Sequence, residues 1–279
     1  MADPTPKWRR RGMVGRLIFI GLFLLFVLMP LYWMFITSIK PSDDYLAVPP
    51  VWFPKAPTLV HYTAALFAYR GMQGLINSLV ISVAATILSA LFGTMMAYSL
   101  ARFGTGGKHL SFWVLSQRFL PPIAVVLPIF LIYRNFGLHD THVGLIIAYT
   151  VFTLPVTVWM MFAYFRGLPR SMEDAALVDG CTRWQAFWRV AVPLSAPGIV
   201  AAAVFAFIAC WTEFFFALIL TSRTAFTLPT VFRAFLGFQG AQYGEASALA
   251  IVSLVPSIML GVLAQKHLVR GLTLGAVRG

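Results

Sequence analysis

Side chains that could do chemistry are sparse in this sequence, and two groups of them stand out. Glu173, Asp174 and Asp179 lie together in one polar stretch, whereas Glu213 and Arg118 stand within long apolar segments. A charged group in an apolar segment is costly to bury, so it is expected to contact a partner charge or to face a polar cavity. The polar stretch is therefore a candidate contact region. The two isolated charges are candidates for a polar path or for a mutual ion pair.

Sequence motifs for catalysis, metal binding and nucleotide binding are absent. The five histidines and two cysteines show no metal-ligand spacing. The stretch Phe-Gly-Thr-Gly-Gly-Lys-His at 103–109 places glycines before a lysine, but a P-loop needs glycine at 102 and Ser or Thr at 109. Arg102 and His109 stand there instead, so a flexible turn is the better interpretation. We expect no cofactor and no metal on this chain.

The polar stretch that holds the first acidic group predicts two short helices joined at Gly180. Ser171 and Asp174 resemble a capping box at the start of the first helix, and Thr182 and Gln185 form one at the start of the second. Gly180 suits a left-handed helix stop between them. This region is therefore predicted to be compact and helical rather than an extended loop.

An aromatic stripe marks the second of these helices. Trp184, Phe187, Trp188 and Ala191 recur at helical spacing, and Pro193 then begins the next apolar segment. Such a stripe can rest on the membrane interface, or it can belong to a helix that docks in the groove of a cytoplasmic protein. Spacing alone leaves both interpretations open.

The composition explains which elements position these residues. Hydrophobic residues make up 59% of the 279, charged residues only 11%, and the mean hydropathy is +0.82. A soluble domain carries about a quarter charged residues, so lipid must solvate much of this chain. The net charge of +12 does not indicate nucleic-acid binding, because the basic residues lie at the ends of apolar segments rather than on one polar face.

We therefore predict an all-α integral membrane protein with a single domain over residues 1–279. A span needs about 20 mostly apolar residues. The first apolar run is too long for a signal peptide and is interpreted as a retained anchor. The third contains Arg118 and three prolines and is expected to be kinked. The six predicted spans are 17–39, 71–101, 110–133, 141–165, 193–220 and 246–265.

The distribution of basic residues predicts the orientation. Of the 21 Lys and Arg, 14 fall on one side of these spans and six on the other, with Arg118 inside a span. The side richer in Lys and Arg is cytoplasmic. Both termini, and the loop 166–192 between the fourth and fifth spans, are then cytoplasmic.

One motif in this loop resembles a known family. The sequence Asp-Ala-Ala-Leu-Val-Asp-Gly at 174–180, followed by Phe187 and Pro193, resembles the EAA loop of ABC importer permeases. That pattern is Glu-Ala-Ala-x-x-x-Gly and then an apolar helix ending in Leu-Pro. Here Asp174 replaces the glutamate and Val192 replaces the leucine.

Two further stretches resemble the carbohydrate-uptake permeases of the MalG type within this class. They are Asp179-Gly180 together with the ending Gly275–Gly279, and Trp-Thr-Glu-Phe at 211–214, where those permeases have Trp-Asn-Glu-Phe. By this resemblance the ending inserts toward the interface of an ATPase dimer. The six-span layout also agrees with the resemblance.

The resemblance implies a transport subunit of the bacterial inner membrane rather than an enzyme, moving a sugar, polyol or similar polar solute by alternating access. It implies three kinds of protein partner besides lipid: a second homologous permease, two copies of a cytoplasmic ATPase that carries ATP and Mg, and an extracytoplasmic binding protein. It implies no nucleic acid. The residues expected to couple to the ATPase are Glu173, Asp174, Ala175, Ala176, Asp179, Gly180, Trp184, Phe187 and Pro193. Those expected in the translocation pathway are Glu213, Arg118, Trp211 and Thr212.

Alternative interpretations remain at this stage. Glu213 could be a structural residue near the headgroups at the outer end of its span. The whole chain could instead be an ion-coupled secondary transporter, which predicts inverted repeats and several buried charges. A membrane enzyme would need a cluster of His, Asp or Cys at one depth, and the sequence shows none.

Overall fold

The computed structural model describes the backbone of residues 7–237 and 240–273, with side chains for 15–235 and 242–265. The described chain is helical apart from loops and one short hairpin, in agreement with the predicted class. The helices are α1 Lys7–Ile39, α2 Val60–Thr63, α3 Gly71–Phe103, α4 Gly107–Ser116, α5 Pro122–Asn135, α6 His142–Gly167, α7 Ser171–Val178, α8 Arg183–Ala186, α9 Val192–Leu194, α10 Ala196–Trp211, α11 Phe215–Leu220, α12 Leu228–Val231 and α13 Tyr243–Thr273. The hairpin pairs β1 Leu236–Gly237 with β2 Gly240–Ala241.

Single turns of other helix types extend several of these elements. Five-residue π-helical turns follow α2 and α8, at Ala64–Ala68 and Phe187–Ala191. Short 3-10 turns lie at Ser42–Asp44, Gln117–Phe119 and Phe232–Phe235. The predicted role of the ending Gly275–Gly279 lies outside the described residues.

The chain divides into two compact units. One contains residues 1–70 and 233–253, and the other contains residues 71–232 and 254–279. All the predicted site residues belong to the second unit.

Four described helical segments are long and apolar enough to cross a membrane: Gly15–Ile39, Gly71–Phe103, His142–Gly167 and Tyr243–Gln265. Two bent pairs meet the same test when taken together. Gly107–Phe119 and Pro122–Asn135 meet at 94°, and Arg183–Leu194 and Ala196–Trp211 meet at 75°. The described chain therefore contains four to six spans, and six spans remains the prediction when each pair counts once.

Two predicted spans differ in shape from continuous helices. The expected kink in the third is a near right angle, since Leu120 and Pro121 have extended backbone between α4 and α5. The fifth was expected to continue through Glu213 to Leu220, and this is wrong. The helix α10 ends at Trp211, and α11 begins only at Phe215. The Glu213 carboxylate stabilises this break by accepting hydrogen bonds from the first N–H groups of α11.

The core of the second unit is built on the close approach of α3 and α6. One face of α3 carries small residues at Ala85, Ser89, Gly93 and Ala97, and three of these four side-chain positions are buried completely. The Ser89 and Thr157 hydroxyl oxygens lie 2.9 Å apart, and a Cβ on Gly93 would come within 2.7 Å of the Thr157 methyl carbon. Small residues allow such contact between membrane helices.

A carboxylate joins two loops at one end of this core. Asp140, between α5 and α6, accepts hydrogen bonds from the backbone N–H groups of Ser222, Arg223, Thr224 and Ala225 at 2.9–3.1 Å. Partial burial alone would raise the pKa of the Asp140 carboxyl, but the four donors together hold it below its ordinary value of 3.8.

This arrangement predicts an acid-dependent stability. Because the folded-state pKa of Asp140 is lowered, its contribution is present above pH 3.8 and is lost as the pH falls below that value. Asp140→Ala should lower the stability of the purified protein by about 1.5–3 kcal/mol at pH 7, the value of a hydrogen bond to a charged group. Thermal unfolding from pH 7 to pH 3 should show the two proteins converging at the acid end. A constant difference across that range would contradict this role.

The first unit contains a buried polar cluster that the sequence did not predict. His61 Nε2 lies 2.9 Å from the Lys40 carbonyl oxygen and 2.8 Å from the Tyr45 hydroxyl, and Nδ1 lies 3.1 Å from the Glu245 carboxylate. A Cβ on Gly244 would lie 1.9 Å from the Tyr45 hydroxyl, so only glycine permits this packing. Burial raises the pKa of Tyr45 to about 12, which keeps the phenol neutral.

Candidate functional site

The loop 166–192 contains the two short helices expected from its sequence, α7 and α8. Gly180 joins them with a φ of +86°. The Cys181 N–H donates to the Ala176 carbonyl at 3.0 Å, and the Gly180 N–H donates to the Leu177 carbonyl at 3.1 Å. These two bonds form a Schellman stop, which requires a left-handed residue at the position of Gly180. The predicted glycine hinge is confirmed.

One of the two predicted capping boxes is present. The Thr182 hydroxyl accepts from the Gln185 N–H at 3.3 Å, and the Gln185 side chain accepts from the Thr182 N–H at 2.8 Å. The predicted box at Ser171 is wrong. Arg170 is already helical and occupies the cap position, and its carbonyl accepts from the N–H groups of Glu173 and Asp174. Ser171 therefore lies inside the first turn and cannot cap it.

Glu173 is held by its own chain. It is 8% exposed, and its Oε1 pairs with Arg102, whose Nε donates at 2.8 Å. Its Oε2 accepts from the Tyr98 hydroxyl at 2.7 Å. We call this arrangement of Tyr98, Arg102 and Glu173 the clamp. Glu173, which was expected to couple to the ATPase, is therefore not on the exposed face of α7, because the clamp already uses both of its oxygens.

The other coupling candidates divide between an inner and an outer face. Ala176 lies on the inward face of α7 and is buried. The exposed positions are Asp174, Ala175, Asp179, Gly180 and Pro193. Large apolar side chains stand among them, with Val178 87% and Trp184 59% exposed. An exposed apolar patch beside a free carboxylate is typical of a protein contact surface.

The predicted aromatic stripe does not act as one surface. The rings of Trp184, Phe187 and Trp188 contact one another at 4.9–5.8 Å. Phe187 and Ala191 are buried, however, and the Phe187 ring lies 4.7 Å from that of Tyr98 on α3. The π-helical turn at Phe187–Ala191 shifts the helical register, so the stripe is divided between the core and the exposed face.

The second group of candidates is not brought together as predicted. The Glu213 carboxylate accepts from the backbone N–H groups of Phe215, Phe216 and Ala217 at 2.9–3.4 Å and so caps α11. Among the described side chains it forms no ion pair with Arg118, whose guanidinium lies 4.5 Å from the centre of the Phe152 ring. The proposed Glu213–Arg118 pair is therefore wrong. The unsatisfied N–H groups of a helix N-terminus attract the carboxylate instead.

The two remaining pathway candidates both lie on the α10 side of this break. Trp211 is buried, and its ring stacks on that of Phe207 at 5.7 Å. Thr212 is exposed and donates to the Ile208 carbonyl at 2.8 Å, which completes the last turn of α10. Both residues support the end of α10.

A cavity of about 350 Å³ lies close to this region. It is mostly apolar, and its lining includes Gln117, Tyr133, Phe152 and Phe216. None of the four predicted pathway residues lines it, but Phe216 is capped by Glu213 and Phe152 lies under Arg118. Glu213 thus contacts the cavity lining through the Phe216 backbone, and Arg118 contacts it through the Phe152 ring.

Sequence reasoning missed the residues that hold these elements in place. Tyr98 and Arg102 at the end of α3 carried no motif, and Asp140 gave no local signal. The presence of one arginine directly after an apolar span was the only indication available for Arg102. In the described part of the chain no three His, Cys, Asp or Glu side chains are grouped so that they could hold a metal ion.

Comparison with known proteins agrees with this geometry. Residues 89–274 match the family described as the binding-protein-dependent transport system inner membrane component. The sulfoquinovosyl glycerol transport system permease protein SmoH of Agrobacterium fabrum is 35% identical over 95% of this chain and 93% of its own length. The trehalose transport system permease protein SugB of Mycobacterium tuberculosis is 37% identical over 91% and 93%.

Solved structures agree on the fold. A chain of a bacterial ABC transporter for the acidic polysaccharide alginate matches with a TM-score of 0.77 at 22% identity, over 95% of this chain and 99% of that one. This chain therefore belongs to the family of binding-protein-dependent transport system inner membrane components, and it is a membrane-spanning permease subunit of an ABC importer.

Proposed function

We propose that this permease imports a sugar, a polyol or a similar small polar solute across the bacterial inner membrane by alternating access. The observation that carries the proposal is the exposed face of α7 and α8, presented on two helices that a Schellman stop and a capping box hold rigidly. The relatives that resemble this chain are named for glycoside and disaccharide transport, which supports a carbohydrate-like solute.

The work in this assembly is divided between chains. A second, related permease completes the pathway, two copies of a cytoplasmic ATPase bind ATP and Mg, and a binding protein delivers the solute from outside. The coupling surface of this chain consists of Asp174, Val178, Gly180 and Trp184, with Glu173 and Phe187 supporting it from below. Asp174 lies in the first turn of α7, where the helix dipole favours a carboxylate. It can accept a charge-assisted hydrogen bond from an arginine of the ATPase.

The pathway is proposed to run beside the break between α10 and α11. A helix broken at membrane depth is tolerated where it is buried in protein or lines a cavity. The Glu213 cap, the exposed Thr212 and the adjacent 350 Å³ cavity support this position.

The test of this function is energised uptake. The chain is co-expressed with candidate ATPase, second permease and binding protein, and radiolabelled trehalose and related disaccharides are offered to membrane vesicles. The ATPase should co-purify with this chain, and uptake should need ATP and survive a protonophore. Uptake that collapses with the protonophore but not with ATP depletion would support the ion-coupled alternative.

The orientation of the chain is tested by cysteine labelling. Cys181 and Cys210 are first replaced, and single cysteines are placed at the exposed positions Ser42 and Gly106. Because the cytoplasmic side is the one rich in Lys and Arg, Ser42→Cys should react with an impermeant thiol reagent added outside intact cells, and Gly106→Cys should react only after lysis. The opposite pattern would contradict a model with both ends inside.

A further inference from the structure

We propose that Arg102 is a positioning residue for energy coupling: through the clamp it ties the ATPase-facing loop to α3, so that α3 carries movement of that loop to the outer segment that follows α11. This inference rests on the proposed coupling function of α7 and α8. It concerns which span receives the movement, a point that the sequence motif does not address.

Both loop helices meet the same two turns of α3. From α7, the Glu173 carboxylate binds Arg102 and Tyr98. From the segment after α8, the Phe187 ring packs 4.7 Å from the Tyr98 ring. The Arg170 guanidinium adds a third tie, donating to the Ala101 carbonyl at 3.3 Å. A displacement of either loop helix therefore acts on the cytoplasmic end of α3, besides acting on α6 and α10, to which the loop is joined through the chain.

The clamp is a buried ion pair with a further bond to the chain before α7. The side chains of Arg102 and Glu173 are only 6% and 11% exposed. Arg102 also donates to the Leu168 carbonyl, which fixes the chain just before α7. A buried pair of this kind is weakened little by salt, and neither side chain is available to a partner. Holding two elements together is the role that remains for it.

The helix α3 is suited to transmit a displacement. It is 33 residues long and contains no proline, whereas the other described helices of similar length contain Pro30, Pro155 or Pro256. Proline is a usual cause of kinks. From Tyr98 to Asn77 the helix covers 21 residues, or about 32 Å at 1.5 Å per residue.

The far end of α3 holds the segment that follows α11. The Asn77 side chain donates to the carbonyls of Thr224 and Phe226 at 2.8 and 2.9 Å. The Leu228 N–H donates to the Ser78 hydroxyl at 2.7 Å. A shift of α3 therefore moves residues 224–228, and the N–H groups of the first two of these also donate to Asp140. The same helix connects the coupling loop with this outer segment.

The test measures whether nucleotide binding is felt at the outer segment. In a background lacking Cys181 and Cys210, a cysteine replaces the exposed Ser222 in the assembled complex of both permeases and the ATPase. Its reaction rate with an impermeant thiol reagent is measured without nucleotide and after trapping with ATP and vanadate. Arg102→Gln is compared with Arg166→Gln, a matched charge loss at an exposed arginine that lies over the Phe162 ring.

Trapping should change the rate in the wild type and in Arg166→Gln. In Arg102→Gln the ATPase should remain bound and hydrolyse ATP. The ratio of the labelling rate after trapping to the rate without nucleotide should move toward one, by roughly two- to thirtyfold, which is the range for residues along a coupling route. The charge swap Arg102→Glu with Glu173→Arg should recover part of the response. If the complex with Arg102→Gln does not assemble, the same labelling experiment is carried out with Tyr98→Phe, which removes only a single hydroxyl from the clamp.

Three results would overturn the inference: an unchanged response in Arg102→Gln or Tyr98→Phe, loss of the ATPase from an otherwise intact Tyr98→Phe complex, or a wild type whose Ser222→Cys rate ignores the nucleotide. Failure of the proposed function looks different, because the wild-type chain would then retain no ATPase at all.

Discussion

Replacing Gly180 with valine should remove most solute import while leaving the membrane spans inserted. Gly180 has a φ of +86°, and a Cβ there would meet nothing within 4 Å. The penalty therefore comes from the backbone alone and amounts to roughly 1–2 kcal/mol or more for a β-branched residue. That cost lowers the ratio of correctly angled to misaligned α7–α8 pairs by a factor of about 5–30. Import in vesicles should fall by up to that factor, with the ATPase lost or hydrolysing without import.

Two matched variants separate strain from bulk in this experiment. Gly180→Asn should retain more activity than Gly180→Val, because asparagine tolerates the left-handed region. Gly167→Val adds the same side chain at a nearby exposed glycine whose φ is not positive and whose surroundings are open. It should therefore transport normally. Equal activity of Gly180→Val and wild type would show that the hinge has no part in coupling.

The second large effect is expected at Glu213. Glu213→Ala leaves the N–H groups of Phe215, Phe216 and Ala217 without their acceptor in the interior of a broken span. An unsatisfied buried donor costs about 1–3 kcal/mol, so we expect reduced uptake by a complex that still assembles. Glu213→Gln should retain more activity, because its amide oxygen remains a hydrogen-bond acceptor. Uptake of labelled disaccharide is measured at matched protein levels.

The structure also sharpens the controls for Glu213. Arg118 and Glu213 form no direct contact, but the Phe152 and Phe216 rings beside them lie 5.6 Å apart, so Arg118→Gln and Glu213→Ala should show only weak coupling in the double variant. Coupling as strong as that of a direct ion pair would restore the pair, and normal uptake by Glu213→Ala would make Glu213 a dispensable cap.

Several features of this protein follow from the sequence because their physical causes are local. An apolar run of about 20 residues specifies a helical span wherever it occurs, since the bilayer leaves no other way to satisfy its backbone. The stop at Gly180 and the capping box of Thr182 and Gln185 depend on residues within one turn of each other. The bend near Pro121 follows from ring geometry in the same way.

Contacts between distant residues were decided by the tertiary structure. Glu173 is separated from Arg102 by 71 residues, and the packing of α3 against the loop brings them together, so that the carboxylate turns inward while the adjacent Asp174 stays exposed. The Glu213 carboxylate binds the N-terminus of α11 rather than Arg118, because the break in the helix places unpaired backbone N–H donors beside it. Charge and spacing show that such groups need partners. Which partner each one obtains depends on helix packing, and this sequence specifies that packing only through the complete fold.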